Sequence, residues 1–120
     1  MDDRDPSTLL PLNQSVFRIL LALGDEEMHG YGIMQALADK TDGREKLLPG
    51  TLYASIARMV ADGLMEELEQ PEGATSGGPR RRYYRRTAFG LAVTRAESQR
   101  IRVLLDVAIS ENIIPGAVGS

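Results

Sequence analysis

The chain has 120 residues, 42% of them hydrophobic and 26% charged, which fits one compact globular domain and excludes a disordered chain. It has no cysteine and a single histidine, His29, so disulfide frameworks, thiolate nucleophiles and His–His zinc pairs are excluded. The 14 basic and 17 acidic residues leave a net charge of −3, a balance that taken alone argues against nucleic acid.

The N-terminus, Met1-Asp2-Asp3-Arg4-Asp5-Pro6, is acidic and polar, unlike a secretory leader. No stretch approaches the ~20 apolar residues of a membrane span, so the cytoplasm is the expected compartment. Residues 1–8 read as a flexible tail. Asn13 is a good N-cap, and Val16, Phe17, Ile19, Leu20, Leu21 and Leu23 form a short apolar helix that stops at Gly24. Asp25-Glu26-Glu27 is a polar turn. Gly30-Tyr31-Gly32 then leads into a second helix whose face carries Ile33, Met34, Leu37 and Ala38, with Gly43 as its stop. His29 reads as a turn residue that caps this helix. Pro49-Gly50 opens a third helix, Thr51 to Asp62, and Gly63 closes it.

The period then changes. Residues 64–70 and 80–86 are of strand length, and nine turn formers, Pro71 to Pro79, lie between them, so a long-looped hairpin is predicted. Thr87 caps a last helix running to about Ser110, before Pro115-Gly116 and a second flexible tail over 115–120. The predicted fold is mainly α with a small β-hairpin: a winged helix-turn-helix domain over 9–86 and a C-terminal dimerisation helix over 87–114.

On a helical wheel the third helix divides cleanly. Leu52, Ile56, Met59 and Val60 fall between ~80° and 180° from Thr51, a core-facing stripe. Thr51, Ser55, Arg58 and Asp62 gather opposite, flanked by Ala54, Ala57 and Ala61. Small and hydroxyl side chains with one arginine suit a helix that enters a groove ~12 Å wide and meets base edges. Tyr53 sits at the boundary, placed to reach a phosphate. In the hairpin, Arg80-Arg81-Arg82-Tyr83-Tyr84-Arg85-Arg86 holds five arginines in seven residues with no acid. Glu66, Glu67 and Glu69 on the partner strand are placed to neutralise some of them, which leaves Arg80, Arg81 and Arg82 toward the tip, where a wing would touch phosphates or the minor groove. Phosphate contacts would then set affinity, and the third helix would read the bases.

Between Ile101 and Ile109 only Arg102 and Asp106 are polar, and the apolar residues spread over ~240° of the wheel, far more than the ~100° a surface helix buries in its own domain. One face is expected against the first helix of its own domain. The remainder needs another subunit, so Phe17, Ile101, Leu104, Leu105, Val107 and Ala108 are expected in the seam of a homodimer. Thr94 to Arg100, mostly polar, reads as a link between wing and seam. No phosphate loop or nucleophile–base pair points to an enzyme, and neither a cofactor nor a metal is expected. A winged-helix module that binds proteins rather than DNA is the competing reading, since acidic net charge also suits protein partners.

Several of these segments resemble the PadR family of bacterial transcriptional regulators. They are Ile19-Leu20-Leu21-Ala22-Leu23, His29-Gly30-Tyr31-Gly32-Ile33, Pro49-Gly50-Thr51-Leu52-Tyr53 on to Asp62-Gly63-Leu64, and Arg82-Tyr83-Tyr84-Arg85-Arg86-Thr87 with Gly90 behind it. The resemblance, over about Leu12 to Val107, implies a winged helix-turn-helix, a cytoplasmic homodimer and repression of a nearby promoter from a palindromic operator. It also implies that Tyr31, Thr51, Tyr53, Ser55 and the basic strand approach DNA. Some small members bind flat aromatic effectors between terminal helices with tryptophan. This chain has no Trp, and the identity of any small-molecule effector stays open.

Overall fold

A computed structural model of the protein describes residues 4–69 and 82–116. Within them lie α1 (Gln14–Leu23), β1 (Met28–His29), α2 (Gly30–Lys40), α3 (Pro49–Ala61), β2 (Met65–Leu68), β3 (Tyr83–Arg86) and α4 (Ala88–Ser110).

The helix ends follow from local chemistry. The Asn13 side chain accepts hydrogen bonds from the N–H groups of Ser15 and Val16, at 2.8 and 3.3 Å. His29 caps α2 by accepting from Gly32 N–H at 3.0 Å through Nδ1, as the sequence suggests. Thr87 caps α4 by accepting from Gly90 N–H at 2.9 Å, while its hydroxyl donates to the Gly63 carbonyl at 2.6 Å. Pro49 opens α3 two residues earlier than predicted, and Leu48 at its N-cap supplies no side-chain bond. Lys40 at the end of α2 donates to the carbonyls of Leu21 and Ala22, tying α2 to the end of α1.

The sheet departs from the two-stranded prediction. It has three antiparallel strands in the order β1-β3-β2, with Met28 opposite Tyr84, Glu67 opposite Tyr84 and Met65 opposite Arg86. β3 is central, so its backbone finds partners on both sides, and the two residues of β1 supply the second edge. The strands are also shorter than the 64–70 and 80–86 runs suggested.

Ile19, Leu20, Leu23, Ile33, Leu52, Met59, Met65 and Val93 are the large side chains with essentially no exposure, so α1, α2, α3, β2 and α4 meet in one core. Burying each contributes roughly 1.5–3 kcal/mol. α4 reaches this core because Gly90 has no side chain: a Cβ there would stand 2.0 Å from the Leu64 carbonyl oxygen.

One expectation about the chain ends is corrected. Residues 4–8, expected within a flexible tail, are held in place. Asp5 caps a 3-10 turn, Pro6–Leu9, which packs on α4. The Asp5 carboxyl lies below its usual range because Ser7 hydrogen-bonds it. Within the polar run before Arg100, read as a link between wing and seam, Thr94 and Glu97 are buried. The Thr94 hydroxyl donates back to the Gly90 carbonyl at 2.7 Å.

Candidate nucleic-acid interface

α2 and α3 set the geometry of the exposed face. Gly30 opens α2 directly beneath Tyr53: a Cβ at Gly30 would meet the Tyr53 hydroxyl at 2.8 Å and its ring at 3.0 Å. The glycine therefore lets the Tyr53 ring lie across the start of α2 while staying 53% exposed. Tyr31, 60% exposed, accepts a hydrogen bond from Gln35 Nε2 at 3.1 Å, which holds its hydroxyl along α2. Tyr31 and Tyr53 thus flank the helix–helix junction with both rings exposed, the Tyr53 hydroxyl lying over Gly30 and the Tyr31 hydroxyl beside Gln35.

Along α3 the inward stripe is Leu52, Ile56 and Met59. Val60 was expected within that stripe and is instead 38% exposed. It lies at the stripe's outermost edge, ~40° beyond Ile56 on the wheel. There it lines a shallow cleft of about 290 Å³ between α3 and the sheet, with Tyr53, Ile56, Ala57, Glu67, Arg82 and Tyr84. Thr51, Ala54, Ala57, Arg58 and Ala61 are exposed, whereas Ser55 is half-buried. The outward arc of α3 is therefore centred on its alanines, with Thr51 and Arg58 at one margin and Tyr53 at the other. Arg58 also borders a second hollow, about 410 Å³, walled by Leu9, Leu12, Val16, Asp62 and Leu64 among others.

The arginines of the wing divide by register. Arg85 pairs with Glu66 and with Glu27, the latter at 3.3 Å, and Glu66 holds its pKa above the usual value. Arg86, 11% exposed, pairs with Asp25 at 2.9 Å. Both serve the sheet and the turn before β1. Arg82 differs. It is 78% exposed and only 3.7 Å from Glu67, a surface pair of the kind worth about 0–1 kcal/mol, so it can exchange that partner for a phosphate. Tyr84 faces the core, where burial, reinforced by Glu67, pushes its pKa up. Tyr83 packs edge-on against His29, with ring centroids 5.4 Å apart. Arg80 and Arg81 lie outside the described residues.

On α4, Ile101, Val103, Leu104, Leu105 and Val107 are exposed and Ala108 is half-buried; Ile113 and Ile114, beyond the helix end, are exposed, and Phe17 on α1 is half-buried. These side chains leave an exposed apolar stretch on the second half of α4 and just beyond it. Among the described residues no helix is long and apolar enough to cross a membrane.

Comparison with known proteins agrees with this architecture. The sequence profile described as the Transcriptional regulator PadR-like family matches residues 19–96. The chain belongs to this family. An uncharacterized protein of Lysinibacillus sphaericus is 31% identical over 81 residues, covering 68% of this chain and 69% of its own. A PadR family transcription regulator from Clostridium difficile R20291 superposes with a TM-score of 0.65 at 26% identity, over 82% of this chain and 97% of its own. Bacillus subtilis PadR, solved in complex with operator DNA, shares the fold, with a TM-score of 0.56 at 18% identity over 92% of this chain and 55% of its own. The PadR-like fold accounts for the third strand and for α4. Sequence reasoning missed Arg4 and Glu97, which bond to Asp62 and Leu12, 58 and 85 residues away.

Proposed function

We propose that this PadR-like regulator is a sequence-specific DNA-binding repressor acting in the cytoplasm. In this reading it binds a palindromic operator as a homodimer. The observation that carries the proposal is the outward arc of α3, slim and alanine-rich with Arg58 and Thr51 at its margin, beside the exposed Arg82 of the wing. Alanines let the backbone approach base edges, and an arginine with a fork of donors matches guanine O6 and N7. Thr51, Ser55 and Arg58 face the major groove, Tyr31 and Tyr53 approach the DNA beside them with Tyr53 reaching a phosphate, and Arg80, Arg81 and Arg82 contact phosphates or the minor groove from the wing. Residues 9–86 act as the DNA-binding unit and 87–114 as the dimerisation helix, with Phe17, Ile101, Leu104, Leu105, Val107 and Ala108 in the seam. The operator complex of Bacillus subtilis PadR, which has the same fold, supports this reading. A small-molecule effector that releases the DNA belongs to the same scheme.

The test is a salt titration of DNA binding. Each phosphate neutralised contributes a slope of about −0.9 in log K against log salt, so binding should weaken steeply. A flat response contradicts the proposal and favours a winged helix that binds proteins.

A further inference from the structure

α4 changes character at one point. Up to Glu97 it is anchored, with Phe89, Gly90, Val93, Thr94 and Glu97 buried. From Ile101 to Val107 every side chain is exposed. Glu97 stands at the transition and is 2% exposed, yet it is a carboxylate. Its Oε2 accepts the Leu12 N–H at 3.1 Å, from the segment that leads into α1. Arg100, one turn further along α4, donates to Oε1 at 2.5 Å and to Oε2 at 3.1 Å. The start of α4 is fixed separately: the Arg4 guanidinium lies 4.0 Å over the Phe89 ring and donates to the Asp62 carbonyl at 2.8 Å, at the end of α3.

The Arg100 side chain is 37% exposed, and a partly solvated ion pair of this kind adds little net stability. Its distinctive property is direction, because hydrogen bonds weaken steeply away from their preferred angle. Here the directional contact sits where the helix leaves its domain.

We propose that Glu97 is a positioning residue that sets the angle at which the free half of α4 leaves the winged-helix domain, and so the separation of the two α3 helices in a homodimer. The inference rests on the homodimeric DNA-binding reading above. The leverage is large. A 10° change acting over roughly 30 Å, about the diameter of a small domain, displaces α3 by about 5 Å, more than the ~3.4 Å step of one base pair. Glu97 thereby governs which half-site spacing the dimer accepts.

The absence of cysteine allows a direct test. Asp39 is exposed on α2, so Asp39→Cys places one nitroxide on each domain, and dipolar electron paramagnetic resonance reads the distance between protomers. In Glu97→Ala, which removes the acceptor of the Leu12 N–H, and in Glu97→Leu, which fills the same space without an acceptor and guards against misfolding of the first variant, the distance distribution should shift or broaden by about 5 Å while the sedimentation coefficient stays dimeric. On operators whose half-sites are moved one base pair at a time, a wild-type preference of about tenfold should fall below about threefold. Unchanged distances in folded, dimeric variants overturn the role of Glu97 and leave the homodimer standing, as does an equal loss of affinity at every spacing. A labelled wild type with no distance between protomers overturns both.

Discussion

The two halves of α4 are both rich in apolar residues, yet one is packed into the domain and the other is exposed. The anchored half owes its place to Gly90, which brings it against the Leu64 carbonyl, to the burial of Phe89 and Val93, and to the Glu97 carboxylate. Among the described residues, none covers the apolar side chains of the free half from Ile101 to Val107. Hydrophobicity by itself thus does not decide what is core. The shape and hydrogen bonding of the surrounding elements decide it, and what they leave over becomes an interface.

Substitutions in each half sharpen this contrast. Gly90→Ala should have the largest effect, a loss of about 3 kcal/mol or more in urea unfolding, because its Cβ meets backbone rather than a movable side chain. A loss within about 0.5 kcal/mol, the range of an ordinary surface change, would show that the close approach is dispensable. Leu104→Asp, in the free half, should leave the far-ultraviolet spectrum unchanged and weaken self-association about a hundredfold or more in analytical ultracentrifugation. If it unfolds the domain instead, the free half is core after all.

The same contrast extends to α3 and the wing. Arg58→Ala should cost about 1–3 kcal/mol and relax preference at one base position, whereas Arg82→Ala should weaken all sequences alike and reduce the salt slope by about 1. Identical profiles for the two variants would remove the division between base reading and phosphate contact.

The smallest effect is a pH dependence confined to the anchored half. The Arg100 guanidinium holds the Glu97 carboxyl below its usual 4.5, outweighing burial, and the Leu12 N–H adds to this. The unfolded chain therefore takes up this proton first as pH falls. The contribution of Glu97 is intact above the usual carboxylate value and is lost as pH falls through the lower, folded one. Stability of the wild type should accordingly fall more steeply than that of Glu97→Gln below about pH 4.5. Parallel acid limbs would contradict the pairing.

What was legible in the sequence was local. Asn13, His29, Gly63 and Thr87 declare helix ends because their partners lie within a few residues, and the wheel of α3 separates Leu52, Ile56 and Met59 from the outward arc. The surplus of apolar surface in α4 was legible by the same periodicity. What escaped was set by distant partners. β1 is two residues long and exists because β3 needs a second edge. Glu97 looked like part of a polar link until Leu12 met it across 85 residues. Val60, at the rim of a stripe, faces a cleft whose other wall comes from the wing.

Selection of genomic fragments bound by the wild type and by Leu104→Asp tests the central claim most directly. The wild type should enrich inverted half-sites centred roughly one turn, ~34 Å, apart, and the variant should lose that enrichment. Enrichment of single, unpaired sites by both proteins, or of no sequence by either, would contradict it.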